Sequence, residues 1–109
     1  MRDEMLFIED IVNASDAIQR FLVDVDQDKF WADEILQGAV MHRLIIIGEA
    51  ASQLSKEFRN SHTEINWKGI IAFRNILVHV YFGLDMDIVW TTAKNQAGTL
   101  GGQLRRYLE

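Results

Sequence analysis

The chain has 109 residues, 49% hydrophobic and 25% charged, with no cysteine, no proline and a formal net charge of −5. That length gives one moderate core and leaves no room for a second, so residues 1–109 read as a single domain. The missing cysteine excludes a disulfide framework, a thiolate metal site and a cysteine nucleophile, and the acidic balance argues against a surface that binds nucleic acid all over.

Charge is unevenly placed along the chain. Residues 1–40 hold ten acids against three bases, whereas residues 41–109 hold six acids against eight bases. A polyanion can approach the second part, and the first offers a basic partner a docking face. The N-terminus, MRDEMLFIED, carries acids where a signal peptide needs a basic region and an apolar run, and the longest later apolar run, Leu44 to Ile47, stops at Gly48 and Glu49. The expectation is a cytoplasmic protein with no membrane attachment.

In chain order, Ile8, Ile11, Ser15, Ile18 and Leu22 recur at spacings of three and four. They predict an amphipathic helix over roughly residues 3–24. Asp28 is the candidate N-cap of a second, long helix from Lys29 to about Phe58, with Phe30, Ile35, Ala39, Leu44 and Ile47 turned inward. His42 and Glu49 put polar groups into its apolar middle. The loop RNSHTEIN follows, and Asn66 can cap a third helix running from Trp67 to about Tyr81, where Gly83 supplies a stop.

That third helix is apolar nearly all round, which in so small a domain implies cover from a partner subunit. Asp85 can cap a fourth helix whose Val89, Ala93, Ala97, Leu100 and Leu104 form another seam. Gly98, Gly101 and Gly102 weaken it by about 1 kcal/mol each relative to alanine, and close approach of another helix is one reason to keep them. No alternation of period two appears. The pattern is that of an all-α, up-and-down four-helix bundle.

The candidate chemistry lies in the third helix. His42, His62 and His79 are far apart and no metal-ligand spacing joins them, so no metal and no cofactor is expected. No glycine-rich phosphate loop is present, and nothing points to one serine of a triad. What remains is Arg74, four residues, His79, one residue, Tyr81. Arginine presents a permanent charge suited to phosphate, and histidine exchanges protons near neutral pH. Together they suit metal-independent RNA cleavage, in which the neighbouring 2′-hydroxyl attacks the phosphorus. On a regular helix, however, His79 lies about 140° from Arg74. Either the helix loosens before Gly83, or Arg74 of one subunit works with His79 of another.

Arg74-Asn75-Ile76-Leu77-Val78-His79-Val80-Tyr81 resembles the Arg-x4-His-x-Tyr motif of the HepT-like toxins of the HEPN superfamily. The resemblance extends through Trp67, the segment from Gly83 to Trp90, and Ile47-Gly48-Glu49-Ala50-Ala51; Val80 stands where relatives often carry glycine. It implies a helical homodimer whose two motifs meet in a cleft and cut RNA, tRNA or mRNA. It also implies a minimal nucleotidyltransferase antitoxin, of the HEPN/MNT type, that neutralises the toxin by adenylylating the motif tyrosine, here Tyr81. On this reading Arg74 and His79 are catalytic, and Asn75 and Glu49 support them. Two other readings stay open: the cleft binds a nucleotide or RNA without cutting it, or the cluster only staples a dimer that serves a partner.

Overall fold

The computed structural model describes residues 3–79 and 83–109. Its described residues form α1 (Glu4–Phe21), α2 (Gln27–Ala32), α3 (Glu34–Gln53), α4 (Lys56–Asn60), α5 (Trp67–His79), α6 (Met86–Thr91) and α7 (Ala97–Arg105), with no strand among them. A π-helical turn, Thr92–Gln96, joins α6 to α7 without a break. Among the described residues no helix is long and apolar enough to cross a membrane.

The first helix forms where the periodicity places it, and Asp3 caps it by accepting the Met5 N–H at 3.0 Å. Ile8, Ile11, Ile18 and Leu22 are buried. The second helix differs from expectation. Asp26, rather than Asp28, caps its start as α2, and Asp33 interrupts it, its carboxylate accepting the Leu36 N–H to start α3. A further break falls at Leu54–Ser55. There the backbone is extended, the Ser55 hydroxyl caps α4 by accepting from Phe58 N–H, and Glu4 of α1 accepts the Ser55 N–H at 2.5 Å. Ile35, expected inside, is 87% exposed in the first turn of α3.

Asn66 caps α5 as expected, accepting the Gly69 N–H at 3.0 Å, and Asp85 accepts the Asp87 N–H at 2.9 Å to start α6. Gly83 has φ +88°, a left-handed value that glycine adopts without a Cβ penalty.

The long helices pack side by side in the order α5, α3, α1, α7. Two glycines set the α1–α7 approach. A Cβ at Gly101 would overlap the Ser15 hydroxyl, and one at Gly98 would come within 2.5 Å of the Gln19 amide. The Ser15 hydroxyl donates to the Ala97 carbonyl at 2.7 Å, which satisfies a polar side chain buried in the core. Gly102 faces open space, so close packing does not account for it. At the surface Arg105 closes the same seam with a two-pronged bond to Asp16. That hydrogen bond, aided by the guanidinium charge and opposed by partial desolvation, holds the Asp16 carboxyl below the usual carboxylate range. Because α5 and α7 lie at the two ends of the row, a cavity of about 450 Å³ opens between them, with Leu44 and Ile47 at its floor and Phe73 and Gln103 on its walls.

Candidate functional site

The site is built on α5, which stays helical through His79. Trp67 fixes its start: the side chain is buried and its indole N–H donates to the His62 carbonyl at 3.1 Å. From there one face turns inward, burying Leu77, and the opposite face carries Lys68, Ala72, Asn75, Ile76 and His79, all exposed.

Arg74 lies on the flank that faces α3. Its side chain is 17% exposed, and Nη1 sits 2.5 Å from Glu49 Oε1 on α3. Gly48 makes room for it, since any Cβ there would overlap the base of the arginine side chain. Nε of Arg74 is buried without a partner among the described residues. Glu49 is 54% exposed, so it borders solvent while holding the arginine. One guanidinium edge is thus fixed by an anion, and the rest of its charge is left for another.

His79 ends the helix on the outer face and makes no hydrogen bond or ion pair with another described residue. Asn75 stands one turn before it on the same line. Arg74 and His79 are five residues apart on a regular helix, about 140° around the axis and about 7.5 Å along it. One chain therefore brings together Arg74 with Glu49, and Asn75 with His79, but does not bring the arginine and the histidine onto one face. Tyr81 and Val80 lie outside the described residues.

The other histidines are structural or solvent-facing. His62 stacks on Phe58 at 4.2 Å, hydrogen-bonds the Tyr107 hydroxyl through Nε2 and bonds the Phe58 carbonyl through Nδ1 at 2.7 Å; His42 is exposed. Trp90 tilts against Phe30 at 5.4 Å, while Trp31 is half exposed and donates its indole N–H to Asp87 at 3.0 Å. Among the described residues no three histidine or acidic side chains converge as a metal site. Sequence reasoning did not assign a role to Gly48; its spacing of one turn from Leu44 on a face that otherwise packs against α5 is the signal that could have found it.

Known proteins resemble this chain along nearly its whole length. The family model described as "Ribonuclease HepT-like" matches residues 11–107. "Probable ribonuclease HepT" of Thermococcus cleftensis is 34% identical over 100 residues, covering 92% of this chain and 91% of that protein. A "Putative RNase" of Caldanaerobacter subterraneus is 31% identical over 109 residues, covering 100% of this chain and 97% of the relative. A Methanocaldococcus jannaschii protein, named for a gamma-glutamylcyclotransferase joined to an RNase of the same unproven standing, is 32% identical over 108 residues. The chain spans 49% of that longer relative. No solved structure is a significant match. With a family model covering most of its residues and relatives aligned nearly end to end, the chain belongs to the HepT-like ribonuclease family.

Proposed function

We propose that this chain is a metal-independent endoribonuclease toxin, active as a homodimer in which Arg74 of one subunit and His79 of the other complete each site. The observation that carries the reading is the placement of the two motif residues on one regular helix: Arg74 is pinned inward by Glu49, and His79 stands free on the far side. A second copy of α5 supplies what each chain lacks. Ile76, 47% exposed and one turn before His79, gives that contact an apolar group.

In the assembled site the His79 imidazole takes the proton of an RNA 2′-hydroxyl, whose oxygen then forms a bond to the adjacent phosphorus. The bond from phosphorus to the 5′-oxygen breaks, and that oxygen takes a proton back. Arg74 holds the charge that builds on the non-bridging oxygens, and Asn75 positions the strand beside His79. A minimal nucleotidyltransferase partner neutralises the toxin by adenylylating Tyr81.

The Arg74–Glu49 pair favours a second reading, in which the arginine serves only to join helices and the dimer binds RNA or a partner without cutting. One experiment separates the two. Induction of the chain alone is expected to arrest growth and degrade RNA, and both effects vanish with His79→Ala or on co-expression of the nucleotidyltransferase. Arrest that persists with His79→Ala, or no arrest from the unmodified chain, would favour the binding role.

A further inference from the structure

We propose that the depression between α4 and the start of α5 is a docking subsite for the phosphate backbone of single-stranded RNA, feeding the strand toward His79; this rests on the ribonuclease reading above. The depression, about 760 Å³ in volume, is lined by Lys56, Arg59 and Lys68 against a single acid, Glu64. Asn60, Thr63 and Asn66 add neutral polar groups to its rim.

Two features set these cations apart. The first is that they are uncompensated. Arg74 and Arg105 each hold a carboxylate, Arg20 interacts electrostatically with Asp16, Lys29 holds a carbonyl, and Arg43, Lys94 and Arg106 lie over aromatic rings. Among the described residues Lys56, Arg59 and Lys68 have no anionic partner, and Nε of Arg59 is buried without an acceptor. In a chain of net charge −5, keeping three such cations together opposes the overall balance and creates a local positive potential.

The second feature is where the depression leads. Lys68, Ala72, Asn75 and His79 follow one another at spacings of four, three and four, which puts them in one exposed line on the outer face of α5. From Lys68 to His79 this line is about 16 Å long. A strand whose phosphates enter at Lys56, Arg59 and Lys68 therefore passes Asn75 and reaches the imidazole a few nucleotides later. The first turn of α5 contributes as well: the N–H groups of Trp67, Gly69 and Ile70 are taken by Ile65, the Asn66 side chain and the Asn66 carbonyl, which leaves the Lys68 N–H free to donate at the positive end of the helix.

The test measures binding of a fluorescent oligouridylate by anisotropy as salt is raised from about 50 to 200 mM, in a His79→Ala background so that the probe is not cut. Lys56→Gln/Lys68→Gln, at two exposed positions, is expected to lower the slope of log K against log salt by about 1.4, near 0.7 for each lost contact, and to weaken low-salt binding about tenfold. Lys56→Arg/Lys68→Arg restores both, which separates charge from folding. An unchanged slope overturns the subsite. So does loss of binding to poly-glutamate with RNA binding intact, which assigns the cations to an acidic protein. Absence of cleavage by the wild-type chain, with the slope effect present, removes the ribonuclease reading and leaves the phosphate site standing.

Discussion

Gly48 on α3 and Arg74 on α5 occupy a space with no room for one more carbon: a Cβ at residue 48 would overlap the Arg74 Cβ and lie 2.7 Å from its Cγ. The atoms it meets are at the base of the side chain, where the backbone would have to shift. Gly48→Ala is therefore expected to push α5 off α3 and cost about 1–3 kcal/mol, despite alanine's better helix propensity. Urea denaturation measures this; a variant as stable as wild type would mean the two helices are not held at this separation.

Glu49→Gln tests the pair from the other side. Glu49 is half exposed, so the ion pair contributes less than about 1 kcal/mol to stability. If its work is to orient the arginine, cleavage falls about 10–100-fold while the urea midpoint barely moves. Equal small effects on both would reduce Glu49 to a surface partner.

The Asp16–Arg105 bond predicts a pH dependence. Its hydrogen bond holds the folded carboxyl below its ordinary value, so between the folded and unfolded pKa the unfolded chain binds more protons. The stabilisation is present above about pH 4 and is lost as pH falls through the folded value. Asp16→Asn is thus expected to lower the melting temperature at neutral pH and to converge with wild type in acid. A gap that stays constant down to acid pH would mean the carboxylate charge plays no part.

The acceptor for adenylylation is tested by labelling. Tyr81→Phe co-expressed with the nucleotidyltransferase is expected to lose the mass added to the wild-type chain. Labelling retained at the same level would move the modification to another residue, with Tyr107, which is tied to His62, the other tyrosine of the chain.

Much of this architecture was readable because caps and stops are local. Asn66 and Asp85 act within one turn of their own positions, so their side chains suffice to place the starts of α5 and α6, whereas the stop expected from Gly83 falls outside the described residues. The break at Leu54–Ser55 was not readable from apolar spacing, because Leu54 is buried and continues the period; it depends on Glu4, fifty-one residues away, accepting the Ser55 N–H. The π turn has no sequence signal of its own, and the bond from Ser15 to Ala97 at the start of α7 is equally remote. For the site, helical geometry alone gave the separation of Arg74 from His79, and α5 keeps that geometry. Whether Glu49 is buried or borders solvent is left open by the residues around it, because its exposure depends on where α5 lies over α3.

The account turns on two subunits sharing one site, and mixing two inactive variants measures that directly. Arg74→Ala and His79→Ala chains are each expected to be inactive alone. In a mixed dimer, one site recovers an intact Arg74 from one chain and an intact His79 from the other. Co-expression is predicted to restore RNA cleavage to a substantial fraction of the wild-type level. Mixed dimers that form and remain inactive would contradict the shared site and return both residues to a single chain.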